Sequence, residues 1–87
     1  MKVITFGRND NNDVIINDQF VGRNHCQIVE NDGKFLVVDL NSTNGTFVNG
    51  KRITGQQPLS MSDEIRIGQT TLNWQTYFRQ SSAPSPT

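Results

Sequence analysis

The sequence holds one cysteine, one histidine, one tryptophan and one tyrosine among 87 residues. A lone Cys26 has no partner for an internal disulfide. The lone His25 stands directly beside it, which is not the spacing of a metal site. No apolar run is long enough for a membrane-crossing helix. The opening, MKVITFGRND, lacks the apolar stretch and small-residue cleavage site of a signal peptide. Charge of one sign is missing too. Eight Lys and Arg balance eight Asp and Glu, for a formal net charge of +0, and the isoelectric point is about 6.5. Such a chain has no global basic field to draw in nucleic acid or an acidic membrane. These absences lead us to expect a cytoplasmic protein, or a cytoplasmic piece of a longer one, with no nucleic-acid partner and no membrane insertion.

Enzyme signatures are also missing. GxxxxGK[ST], GxGxxG and HExxH do not occur. The acidic residues are scattered, without the flanking partner that a general acid–base pair needs. No catalytic residues, metal ligands or cofactor are therefore expected. Trp74 and Tyr77 fit a strand better than a base-stacking platform. Helical periodicity is nearly absent, since apolar residues do not recur at i, i+3, i+4 and i+7 over any long window.

What is present is a series of short β-rich runs separated by turn signals. The sequence predicts strands at 2–6, 13–17, 25–30, 34–40, 64–68 and 70–78, with two more short strands flanking Asn49-Gly50. In 25–30, Cys26 and Ile28 share one face. In 34–40, KFLVVDL is apolar on both faces, as a central strand is. In 70–78, Leu72, Trp74, Thr76 and Phe78 share one face. Asn31-Asp32-Gly33 and Asn49-Gly50 read as hairpin turns, because Asn and Asp before Gly tolerate positive φ. The fold class that follows is all-β, an antiparallel sandwich or barrel. A mean hydropathy of −0.54 suits a small domain with a modest core. The segment SSAPSPT (81–87) is polar, Pro-rich and aperiodic. We therefore expect a domain over 1–79, then a Pro/Ser-rich linker or disordered tail over 80–87.

Four clusters remain to be explained. Gly7-Arg8 follows the first strand, and an arginine there offers a planar fork for phosphate or carboxylate. Gly22-Arg23-Asn24-His25 precedes the third. Here His25 reads as a hydrogen-bonder that pins neighbouring loops, and Cys26 as a small core residue. The stretch from Asn41 to Gly50, NSTNGTFVNG, packs hydroxyls, amides and glycines into a loop. Asn, Ser and Thr side chains stiffen such turns by bonding nearby backbone. The same groups make a ready site for an anion or a peptide backbone. The last cluster is Asp63-Glu-Ile-Arg-Ile-Gly68.

In this order and spacing the four clusters resemble the forkhead-associated (FHA) domain over roughly residues 3 to 77. The resemblance implies a β-sandwich of the FHA/SMAD type that binds phosphothreonine peptides through loops at one end. It implies phosphate contacts from Arg8 and Thr43, a grip on the peptide backbone by Asn44, and loop support from Gly7, His25, Gly45 and the hairpin residue Asn49. It also shows two departures. The family's usual serine, which donates to phosphate, is here Gly22, with only a backbone N–H to give. A charge-assisted hydrogen bond is worth about 1.5–3 kcal/mol, so its loss costs roughly 10- to 150-fold in affinity. Arg23 beside it is the residue placed to recover part of that. The first strand of a full FHA sandwich is missing as well, which leaves an edge open or to be completed by another chain.

Phosphothreonine carries about −1.5 to −2 charges and three acceptor oxygens. A binder needs converging donors, and Arg8, Arg23 and Thr43 supply cation, cation and hydroxyl from three loops. The expected function is a phosphothreonine-preferring interaction module in a signalling or regulatory protein. The alternative is a phosphate-independent FHA-like domain that self-associates or binds folded partners.

Overall fold

The structure, a computed structural model, describes residues 1–78. The expected domain boundary at 79/80 and the linker over 80–87 lie outside the described residues. Two sheets pack face to face. The first contains β1 (Lys2–Gly7), β2 (Val14–Ile15), β3 (Cys26–Asn31), β4 (Lys34–Asp39) and β7 (Gln56–Leu59), in the order β2-β1-β3-β4-β7. The second contains β5 (Thr46–Val48), β6 (Lys51–Arg52), β8 (Ile65–Ile67) and β9 (Thr70–Leu72), in the order β6-β5-β8-β9. A 3-10 helix, Trp74–Phe78, follows β9.

Alternation in the strands builds the core. Phe6, Cys26, Ile28 and Val37 from the first sheet meet Val48, Ile65, Ile67 and Leu72 from the second. Val21, Ile53 and Trp74 close the rim. Cys26 is completely buried, and burial pushes its thiol pKa up to about 12, so it serves as an inert core group. The two hairpin turns form as their residue types demand. Asn31 pairs with Lys34 across Asp32 and Gly33, and Val48 pairs with Lys51 across Asn49 and Gly50. All four turn residues have positive φ, between 52° and 85°, the primed geometry that matches strand twist.

Three elements differ from the sequence expectation. The strand drawn over 70–78 stops at Leu72. Trp74 then turns fully inward and its indole N–H donates to the Asp63 carbonyl at 2.9 Å. Phe35 packs edge-on against Trp74 and Phe78 at 5.4 and 5.3 Å. Trp74 and Phe78 are four residues apart, a spacing that one helical turn serves as well as alternation does. Thr76, expected on the same face, is exposed. The second difference is β7, which the polar run Gln56-Gln57-Pro58-Leu59 did not announce. It is an outermost strand, where the missing N–H of Pro58 is tolerated. The third is β2, only two residues long where the sequence predicts a strand over 13–17, and parallel to β1 within an otherwise antiparallel sandwich.

Among the described residues β9 is the outermost strand of the second sheet. None of the helices among the described residues is long and apolar enough to cross a membrane.

Candidate functional site

β1 ends, β3 begins, β4 ends and β5 begins at one end of the sandwich, so their loops converge there. Backbone bonds lock them together. The Arg8 N–H donates to the Gly22 carbonyl at 2.9 Å, and the Asn9 N–H donates to the Arg23 carbonyl at 3.1 Å. The two arginines therefore rise from adjacent backbone segments. This closeness requires Gly7. A Cβ there would overlap the Arg23 carbonyl and sit 2.6 Å from the Asn12 amide nitrogen. That same Asn12 amide donates to the Arg23 and Asn9 carbonyls at 2.6 and 2.8 Å, which fixes the turn that carries Arg8.

His25 joins this pair of loops to the third. It is completely buried. The Gly22 N–H donates to its Nδ1 at 2.9 Å, which leaves Nε2 to donate to the Gly45 carbonyl at 2.8 Å. One ring thus spans the Gly22 loop and the Asn41–Gly45 loop, and both its nitrogens are used. Gly22 consequently brings no unspent donor of its own, since its N–H is committed to His25. Its φ is not positive, and a Cβ would meet nothing closer than His25 Nδ1 at 3.6 Å. Glycine here is not a backbone requirement.

The third loop is held from beneath by Asp39. Ser42 Oγ and Thr46 Oγ1 donate to Asp39 Oδ1 at 2.5 and 2.7 Å, the Ser42 N–H donates to Oδ2, and the Gly45 N–H donates to Ser42 Oγ. Burial pushes the Asp39 pKa up, but the bonds from Ser42 and Thr46 outweigh it and hold the carboxyl below its usual range. Positive φ at Asn41 and Gly45, 61° and 92°, completes the loop. Thr43 and Asn44 are left exposed at its tip.

The side chains of Arg8 and Arg23 are exposed at this end, and neither donates to a protein acceptor among the described residues. The Thr43 hydroxyl is likewise unspent among them. Asn44 is partly spent: its amide donates to the Phe20 carbonyl at 2.9 Å, tying the loop to the segment before Gly22. Asn49 lies at the opposite end of β5. It donates to Asp63 Oδ1 and accepts from the Glu64 N–H, both at 2.9 Å, and so supports a different loop from the other named residues. Sequence reasoning missed Arg52. Its Nη2 donates to the Thr43 carbonyl at 3.4 Å, beneath the loop tip. The signal was in the hairpin: a two-residue turn at Asn49-Gly50 sets Arg52 opposite Phe47, back toward Thr43. Phe20 and Arg66, also unflagged, line a groove beside Asn44.

The FHA domain family model matches residues 4–68. The chain belongs to the FHA family. This FHA domain is 41% identical to the oxoglutarate dehydrogenase inhibitor of Corynebacterium efficiens, over 78% of the chain and 47% of that protein. It thus spans about half the length of the curated relatives it matches. Among solved structures, it is similar to the FHA domain of the CT664 protein from Chlamydia trachomatis, with a TM-score of 0.76, 32% identity, and coverage of 80% and 71% of the two chains. It is also similar to the N-terminal FHA domain of S. cerevisiae Rad53p in complex with a phosphothreonine peptide. There the TM-score is 0.69 at 42% identity, covering 77% of this chain and 56% of that one. The FHA sandwich is therefore the fold of this chain. Among its described residues no group of three His, Cys, Asp or Glu side chains is placed to hold a metal ion.

Proposed function

We propose that the protein is a phosphothreonine-preferring peptide-binding module that works in the cytoplasm within a regulatory or signalling protein and performs no chemistry of its own. The observation that carries this reading is the His25 bridge. One buried ring ties the Gly22 loop, next to Arg23 and Arg8, to the Asn41–Gly45 loop that carries Thr43 and Asn44. Two cations and a hydroxyl are held at one end by backbone that is already fixed, so little ordering entropy is lost on binding. Arg8, with Arg23, takes the phosphate as a planar fork. Thr43 adds a hydroxyl, and Asn44 has its Oδ1 for a peptide N–H. Gly22 takes part only through its place in the loop. The complex of a similar yeast domain with a phosphothreonine peptide supports the ligand class.

The test is binding of a degenerate phosphothreonine library and its unphosphorylated twin, to wild type and to Arg8→Ala. Retention of the phosphorylated library alone, by wild type alone, is the expected result. An Arg8→Ala variant that binds as well as wild type refutes the assignment. Phosphate-independent association is the second reading, favoured by the absent hydroxyl at Gly22. The solvent face of the first sheet adds to it: Val3, Val29, Leu36 and Pro58 stand directly opposite one another across four strands. Equal retention of both libraries, or dimerisation indifferent to phosphate, supports that reading instead.

A further inference from the structure

A second bracket between loops starts at Asp18, and His25 takes no part in it. Asp18 builds a turn of its own. Its Oδ1 accepts the Phe20 N–H at 2.9 Å, and its carbonyl accepts the Val21 N–H at 2.9 Å. An aspartate that bonds the backbone two residues on fixes the peptide groups it encloses. The turn is moored from the other sheet. Asp18 Oδ2 accepts the Gln69 N–H at 2.7 Å and the Thr70 hydroxyl at 2.8 Å. All three bonds to this carboxylate are charge-assisted, the stronger kind. Gly68 makes the approach possible. Its φ is +59°, and a Cβ there would come within 2.8 Å of Asp18 Oδ2 and 2.9 Å of Val21 Cγ2. The glycine that closes the Asp63–Gly68 cluster thus makes room for Asp18.

The bracket ends at Asn44, whose amide nitrogen donates to the Phe20 carbonyl at 2.9 Å. A side-chain amide is planar, with its donors on nitrogen and its acceptor on oxygen. A bond that holds Nδ2 on Phe20 therefore also sets the direction of Oδ1. The Phe20 carbonyl is placed by the Asp18 turn, and that turn by Gln69 and Thr70. A mooring at the start of β9 thereby reaches a side chain at the tip of the Asn41–Gly45 loop.

We propose that Asp18 is a positioning residue for peptide binding: through the Phe20 carbonyl it sets the Asn44 amide, and with it the grip on the peptide backbone. The proposal rests on the phosphopeptide reading above. The two brackets divide the work. His25 holds the loop backbone beside Arg8, Arg23 and Thr43, and Asp18 holds one side chain at the tip. Loss of Asp18 should therefore reach the ligand through Asn44 alone.

The test is a double-mutant cycle. Its probe is a phosphothreonine peptide retained by wild type from the degenerate library. Asn44→Ala is expected to weaken binding about two- to tenfold, the range for one neutral hydrogen bond. Asp18→Ala should weaken it by no more than that, and Asp18→Asn, which keeps an oxygen for the Phe20 N–H, by less. The variant lacking both Asp18 and Asn44 should bind as Asn44→Ala does, whereas Asp18→Ala and Arg23→Ala should multiply. In proton–nitrogen correlation spectra, Asp18→Ala should move the Asn44 side-chain amide signal. Thermal melts verify the fold. Should Asp18→Ala not fold, Thr70→Val, which removes one mooring bond, takes its place with a smaller effect in the same direction. Losses that multiply between Asp18 and Asn44, equal coupling to Arg23, or an unmoved Asn44 signal overturn the role of Asp18 alone. An Asn44→Ala variant that binds as wild type overturns the grip and the role of Asp18 with it. No discrimination by wild type between the phosphorylated and plain libraries overturns the phosphopeptide reading as well.

Discussion

Two Asn-Gly pairs sit at opposite ends of the three-residue strand β5, and they meet opposite fates. At Asn49-Gly50 both residues take positive φ, 52° and 85°, and a Cβ on Gly50 would meet nothing within 4 Å. The Asn49 side chain is spent in both directions on Asp63 and Glu64. At Asn44-Gly45 only the glycine is left-handed, at 92°, and a Cβ on it would come within 2.6 Å of Arg52. The Gly45 carbonyl is used by His25, while Asn44 keeps its Oδ1 for a partner. At the far end polar groups satisfy one another under an aromatic cap. At the near end a polar frame of buried His25 and Thr46 with half-buried Asp39 and Ser42 satisfies the backbone, which frees the tip residues for a ligand. One dipeptide makes a closed turn in the first setting and a rim in the second.

The largest effect belongs to the far end. Trp74→Ala removes the core's largest fully buried side chain and should cost about 3–5 kcal/mol of stability. The urea midpoint reports it. Under conditions where the variant is folded, its phosphopeptide affinity should match wild type. A parallel loss of affinity would show that the two ends are coupled.

His25→Ala comes next and should blur the contrast, because it strikes the frame. The Gly45 carbonyl and Gly22 N–H both lose their partner, at a cost of roughly 2–4 kcal/mol with the cavity included. Unlike Trp74→Ala, it should also weaken phosphopeptide binding in the folded protein. Unchanged affinity by calorimetry would mean that the loops hold their places without the ring.

Gly22→Ser sharpens the near end. The conformation accepts a side chain, and its Cβ has room. The added hydroxyl supplies the donor the site lacks and should tighten phosphopeptide binding roughly tenfold, the lower end for a charge-assisted bond, with stability within about 0.5 kcal/mol of wild type. Anisotropy titrations measure the first and thermal melts the second.

The smallest effect is the response to acid, which both ends share. Asp18 is held below its ordinary 3.8 chiefly by the Phe20 and Gln69 backbone N–H groups, with Thr70 adding to them. Asp63 is lowered chiefly by the Ser60 backbone and then by Asn49. Asp39 is lowered by Ser42 and Thr46 against its burial. A native pKa below the unfolded value stabilises the fold above 3.8, and that contribution is lost as pH falls through the native values. Melting temperatures should therefore drop below pH 4. Asn49→Ala should soften the part due to Asp63 and leave that due to Asp39. An identical acid limb in wild type and variant would deny Asn49 that role.

Much of the fold was legible because it is local. Alternation at Cys26 and Ile28, or at Ile65 and Ile67, has period two wherever the strand lies, and Asp-Gly and Asn-Gly turns carry their geometry in their own φ preferences. Gln56–Leu59 was not legible, because its strand character comes from the β4 edge it joins and not from its own side chains. The 74–78 segment misled because apolar residues four apart fit both periods, and the decision rested with Asp63 and Phe35, distant in sequence. In the candidate site, Arg8, Thr43 and Asn44 were named from their motif. The occupied N–H of Gly22 and the approach of Arg52 to Thr43 were invisible until His25 and the β5–β6 hairpin were in place.

The sequence by itself determined most of the strands, the hairpin turns, the family and the residue types from which an anion site can be made, because these depend on each residue and its near neighbours. Only the tertiary structure decided which polar groups are consumed in holding the loops and which remain for a partner. Hydrogen bonds saturate, and a donor such as the Gly22 N–H is free or spent according to what the fold brings within about 3 Å of it.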